Sequence, residues 1–339
     1  MGKISLIIAL IVMLQSCTTE KKPASKLLVL SNGIVEIGIL PDAGAALVRA
    51  SLAGRPNILL SDSALWNEPT EQRASTDPKA PFKTYNGHIT WLSPQTQWWI
   101  NQDSVSELKN SHANWPPDPI LTLAPYQIIS HTANEIKLLS AKSRYSKVQF
   151  TKTYRIEGNK VFLSTSAKNI SSEPVSWGLW QNTRMNGWDF VFVQADSTAL
   201  RKTDYYNSTK DQKPEFHYRN GFYTYDAAAP TNAKEVYKAK SFLNVKSPLI
   251  AGHHQNQWLI IRSEAINNTQ IHPEESRVQL YIENSYQAAG DLQELEMQFA
   301  YQSIAPGASI EAAETWEILP GSGLSDKYQL LDELRGKLK

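Results

Sequence analysis

The chain has 339 residues, a formal charge of +1, 41% apolar residues and ten tryptophans, enough material for a sizeable core. Its Lys and Arg residues are scattered without a basic stripe, which argues against a nucleic-acid partner. The one cysteine, Cys17, excludes an internal disulfide framework, so stability must come from the core.

Met1-Gly2-Lys3 precedes a stretch from Ile4 to Leu14 that is apolar except for Ser5, then Gln15-Ser16-Cys17. The apolar run is about half of what a membrane-spanning helix needs, so it reads as a cleaved signal peptide. Leu14-Gln15-Ser16-Cys17 resembles a lipoprotein signal-peptidase site, which implies a lipid on Cys17 and removal of residues 1–16. An ordinary signal peptide with an incidental cysteine is the alternative. Residues 17–26 are polar with one Pro and form a tether. The expectation is an exported envelope protein. Thr18 after the cysteine suggests the outer membrane by bacterial sorting habit.

Period-two alternation dominates the rest. Leu27–Leu30, a turn at Ser31-Asn32-Gly33 and Ile34–Leu40 read as a hairpin, closed by Pro41-Asp42-Ala43-Gly44 and followed by a strand over 45–50. Residues 61–84 and 101–119 are irregular, rich in Pro, Asp and Asn, and longer than hairpins need. Strands are expected at 135–139, in the hairpin 148–156/160–167 turning at Gly158, and at 175–180, 258–262, 278–283, 293–300 and 309–318. Only the tail reads as helix: Ser325 can cap a segment with Leu324, Tyr328, Leu331, Leu334 and Leu338 at helical spacing. Many antiparallel strands and one short helix predict an all-β sandwich or barrel, a single domain over 27–320, with a C-terminal helix in 321–339.

Four segments mix flat rings with hydrogen-bonding side chains: Asn86–Trp91, Asn114–Pro119, Trp177–Met185 and Glu294–Gln298. That pairing suits a sugar, whose C–H faces stack on aromatics while its hydroxyls bond to polar groups. Glu294, Glu296 and Gln298 share one face of a strand, and Leu295 and Met297 the other. The polar face is either solvated or lines a cleft, with Glu296 as a proton acceptor. His88, at a strand start, is either a structural histidine or a side chain overhanging that cleft. Trp91, Trp115, Trp180, Asp118 and Arg184 are the candidate sugar contacts. The neighbours His253 and His254 point to opposite faces of a strand, and no metal-binding spacing appears, so neither metal nor cofactor is expected.

Three stretches carry a family resemblance. Asn32-Gly33-Ile34-Val35-Glu36-Ile37-Gly38-Ile39-Leu40-Pro41-Asp42-Ala43-Gly44-Ala45 resembles the opening strands of galactose-mutarotase-like domains. The hairpin ending Ser166–Ser171, followed by Glu173-Pro174-Val175, is similar to their central sheet. Leu295-Glu296-Met297-Gln298, Ile304–Ser309 and Thr315–Ile318 are similar to their last strands. Asn86–Trp91 and Trp115–Asp118 look most like a branch apart from the true aldose 1-epimerases. The resemblance covers roughly 27–320 and implies a β-supersandwich with a sugar-binding concave face. In the epimerases a Glu on a late strand takes the anomeric proton and a His protonates the ring oxygen. Glu296 falls where that Glu stands, and His88 is the candidate acid. Where the epimerases carry Asn-His and an aromatic, this chain has Asn182-Thr183-Arg184-Met185. Neither Thr nor Arg donates a proton near neutral pH, although Arg184 can grip a carboxylate or sulfate on an acidic sugar.

The resulting expectation is a membrane-anchored carbohydrate-binding protein with Glu/His acid–base chemistry. A non-catalytic glycan-binding lipoprotein is the alternative, and a purely structural envelope protein a third.

Overall fold

The computed structural model describes residues 27–68, 73–187, 189–206, 214–226, 236–285 and 291–339. The expected signal peptide, Cys17 and tether therefore lie outside the described residues. In chain order the strands are β1 (Leu28–Ser31), β2 (Val35–Leu40), β3 (Ala46–Leu52), β4 (His88–Ser93), β5 (Gln127–His131), β6 (Glu135–Leu139), β7 (Val148–Glu157), β8 (Lys160–Asn169), β9 (Val175–Asn186) and β10 (Phe190–Gln194). They continue with β11 (Leu200–Tyr206), β12 (Glu215–Arg219), β13 (Phe222–Asp226), β14 (Val236–Leu243), β15 (Leu249–His254), β16 (Gln257–Ser263), β17 (Val278–Ser285), β18 (Leu292–Gln298), β19 (Gln302–Ile304) and β20 (Ser309–Pro320). Three short helices are α1 (Ser106–Asn110), α2 (Pro119–Thr122) and α3 (Lys327–Lys337).

The strands form two ten-stranded sheets. The first runs β1-β2-β3-β4-β9-β18-β17-β14-β11, with β19 paired to the start of β9. The second runs β12-β13-β10-β15-β16-β20-β8-β7-β6-β5. Their inner faces enclose one core, because alternation sends every second side chain inward. On β7 these are Val148, Phe150, Tyr154 and Ile156, all buried, and Leu179, Leu280, Leu295 and Met297 answer from the first sheet. The all-β sandwich expected from the sequence is thus the observed architecture.

The tail helix covers the outer face of the second sheet. Leu330, Leu331 and Leu334 pack on Phe192, Trp258 and Ile260, each leucine contributing about 1.5–3 kcal/mol by burial. Its cap is Asp326, whose carboxylate accepts from the N–H groups of Tyr328 and Gln329; Ser325 lies one residue too early. Leu324 consequently falls before the helix and stays 39% exposed. No helix among the described residues is long and apolar enough to cross a membrane.

Two glycines let chain segments close up beside the first sheet. Gly44 (φ +66°) leaves no room for a Cβ, which would lie 2.0 Å from the Thr122 carbonyl oxygen. Gly87 (φ +74°) is equally tight, at 2.3 Å from the Leu47 carbonyl oxygen.

Candidate functional site

With α3 on the far side, the outer face of the first sheet is left to loops, and it is polar where an ordinary covered face would be apolar. β18 sends Glu294, Glu296 and Gln298 to it, all buried, while Leu295 and Met297 enter the core. Register fixes the rest: Glu294 faces Arg184, Glu296 faces Asn182 and Gln298 faces Trp180 on β9, and Trp180 in turn faces Trp91 on β4. Above this floor lies a recess of about 600 Å³, reached by Trp91, Trp115, Trp180 and Arg184 and by Lys240 and Tyr206 from β14 and β11.

The charges on the floor are paired. Arg184 donates from Nε to Glu294 at 2.8 Å, approaches the same oxygen with Nη2 at 2.7 Å, and donates from Nη1 to the Asn86 side-chain oxygen at 2.7 Å. Asn86, at φ +58°, and Gly87 form the turn that brings this oxygen over β9, and the Arg184 N–H donates to the Gly87 carbonyl at 2.9 Å. Lys240 meets Glu296 at 2.8 Å and lies 4.5 Å over the Trp180 ring. At the far wall Glu283 accepts from the Tyr281 hydroxyl at 2.8 Å and pairs with Lys238 at 2.9 Å.

Burial and neighbours split the two carboxyls of β18. Burial pushes Glu296 well above the usual carboxylate range; Lys240 offsets part of this and the adjacent Glu294 adds to it. Burial acts on Glu294 too, but Arg184, the hydrogen bond with Glu296 and Lys240 outweigh it and hold Glu294 low. Of the two, Glu296 is the carboxyl whose neutral form burial favours more. Burial opposes the charge on Lys240, yet Glu296, Glu275 and Glu294 keep its pKa above the ordinary lysine value.

The tryptophans form one cluster. Trp91 stands edge-on to Trp180 (4.7 Å, 89°), Trp98 (5.8 Å) and Trp115 (6.1 Å). Trp98 donates to the Leu92 carbonyl, whereas the buried indole N–H groups of Trp91 and Trp180 have no hydrogen-bond partner among the described residues. Leaving such a donor unmet costs about 1–3 kcal/mol. Trp115, packed edge-on against Phe82, presents an exposed ring at the rim (43%).

Two residues expected at the cleft are elsewhere. His88 begins β4 with the opposite parity to Trp91 and points into the core. Its Nδ1 meets the Thr183 hydroxyl at 2.9 Å, and its ring lies 5.0 Å from that of Trp316 on the other sheet. Burial, with Lys152 nearby, lowers its pKa to about 3. The sheet itself thus separates His88 from Glu296, and the two cannot act as an acid–base pair on one substrate. Asp118 is the buried cap of α2: it accepts from the Ile120 N–H (3.0 Å), the Ser146 hydroxyl (2.6 Å) and the Ser143 hydroxyl. These bonds satisfy its carboxylate away from the recess. Arg184 does line the recess, but all three of its nitrogens are engaged by Glu294 and Asn86, so its expected grip on an acidic sugar has no free fork. Trp91, Trp115 and Trp180 are brought together at the recess, whereas Glu296 lies buried behind Lys240 and does not line it.

Lys240, Tyr206, Tyr281 and Glu283 were missed as site residues. The alternation Lys238, Lys240 against Ala239, Ser241 carries a strand signal that charge alone obscured. Among the described residues, no group of three or more His, Cys, Asp or Glu is placed to hold a metal ion.

A family model described as "Domain of unknown function (DUF4380)" matches residues 26–319. No curated protein matches the chain. Among solved structures, the Slr1438 protein of Synechocystis sp. PCC 6803 is similar over 94% of this chain and 100% of its own, with 12% identity and a TM-score of 0.54. A galactose mutarotase-like protein from Clostridium acetobutylicum is similar over 86% of this chain and 94% of its own (12% identity, TM-score 0.51). An aldose 1-epimerase candidate from Escherichia coli K12 is similar over 87% and 99% (11% identity, TM-score 0.52). Identities this low speak for the fold alone. The chain belongs to the DUF4380 family, and its domain has the galactose-mutarotase-like fold.

Proposed function

We propose that this protein binds a neutral carbohydrate in the recess over the first sheet, without transforming it, while anchored to the cell envelope through Cys17. The observation that carries the reading is the recess: a tryptophan cluster and a hydrogen-bonding floor meet in one hollow. The ligand is neutral because the ionisable groups that line the recess balance, Arg184 and Lys240 against Glu283 and Glu294. Catalysis is left out because ring opening needs an acid opposite the base. None of the seven histidines, all of them among the described residues, lines the recess, and Glu296 is enclosed behind Lys240.

The test is calorimetric titration of the intact protein with neutral and uronic saccharides, alongside polarimetry of freshly dissolved glucose and galactose. Neutral sugars should bind, Trp115→Ala should weaken them about tenfold, and anomer equilibration should stay at the spontaneous rate. Preference for uronic acids would overturn the charge argument. Accelerated equilibration would make the protein an epimerase.

A further inference from the structure

We infer that the recess takes a saccharide of two or more units and does not saturate with one ring, an inference that rests on the carbohydrate reading above. The first observation is volume. About 600 Å³ equals the liquid volume of roughly twenty waters at ~30 Å³ each. A pyranose monosaccharide has twelve non-hydrogen atoms, and atoms joined by covalent bonds pack more closely than separate waters. One ring therefore leaves close to half of the hollow, or more, to solvent.

The second observation is how the contacts are distributed. One set lies in the segments flanking β4: the exposed Trp115 ring with the side chains of Asn86 and Gln95. The other lies across β18, on β17 and β11: the Tyr206 ring, 42% exposed, with Tyr281 and Glu283. Each set holds what one sugar ring asks for, an aromatic face and hydrogen-bonding groups at its edge. The charged pairs Arg184–Glu294 and Lys240–Glu296 lie between them on the floor. A single ring can occupy one set, whereas linked rings engage both. Trp115 and Tyr206, one in each set, are both partly exposed.

The experiment is titration of the intact protein with gluco-, manno-, galacto- and xylo-configured ladders of one to six units. In the series that binds, affinity should rise about tenfold or more between one and three units and then level off. Trp115→Ala and Tyr206→Ala should each remove that gain, leaving the trimer no tighter than the monomer. A monosaccharide that binds as tightly as its trimer overturns the chain-length inference and leaves the carbohydrate reading standing. Failure of every ladder overturns that reading and this inference with it.

Discussion

A lone histidine carries no address, and His88 shows how one step of strand parity decides its fate. Residue 88 faces Trp316 in the core and residue 89 faces outward, so the imidazole is kept neutral by burial beside Lys152. A base whose folded pKa lies near 3 against 6.5 unfolded takes up its proton in the unfolded chain first. The stability it contributes is complete above pH ~6.5 and is lost as pH falls toward 3, by at most about 1.4 kcal/mol per pH unit. His88→Gln should therefore flatten the acid limb of a Tm-against-pH curve between pH 6 and 3 and leave saccharide affinity unchanged. An unaltered acid limb would remove His88 from the set of groups that govern acid stability. Glu296, by contrast, was legible from alternation alone, because Leu295 and Met297 on either side of it fix its face. Asp118 was not: an Asp before Pro119 suits a helix cap as well as a sugar contact, and its bonds to Ser143 and Ser146 span the sequence.

Among the elements, strands with clean alternation were readable, while continuous apolar runs such as Phe190–Val193 and Leu249–Ala251 were not. Glu135–Leu139 and the hairpin turning at Gly158 emerge as expected, whereas β10 to β15 went unread. β14 is the costly omission, since Lys240 and its pair with Glu296 lie there. The loops that roof the recess depend on backbone freedom more than on side-chain pattern. Gly87 both occupies the left-handed region and abuts the Leu47 carbonyl, so Gly87→Ala meets two penalties and should cost about 2–4 kcal/mol. Gly54, also at positive φ (+72°) but in open space, supplies the control, where Ala should cost about 1 kcal/mol. Thermal unfolding of both variants decides the matter: equal losses would mean that the contact with Leu47 yields at no cost. Gly87→Ala should also weaken sugar binding, because the turn it completes carries Asn86 to Arg184.

For the whole molecule, the sandwich was visible from turn spacing and strand count, and the family resemblance pointed to the same architecture. The contents of the hollow were less visible, because they join β4, β9, β11, β14, β17 and β18, segments up to about 200 residues apart whose adjacency exists only in the folded sheet. The envelope anchor belongs to this scale. If diacylation of Cys17 holds the protein at a membrane, Cys17→Ser should move it from the membrane pellet to the soluble fraction after osmotic release, with saccharide affinity unchanged. Retention in the pellet would refute the anchor. Alternation in β18 has one more consequence: ligand-facing and lipid-like surfaces are written on the same ribbon in alternate letters. Deleting any one residue between Leu292 and Gln298 would exchange them, turning aliphatic groups toward the recess and carboxyls into the core. A single replacement on the outer parity thus alters the floor of the recess and spares the core, whereas a change of length within the strand disturbs both.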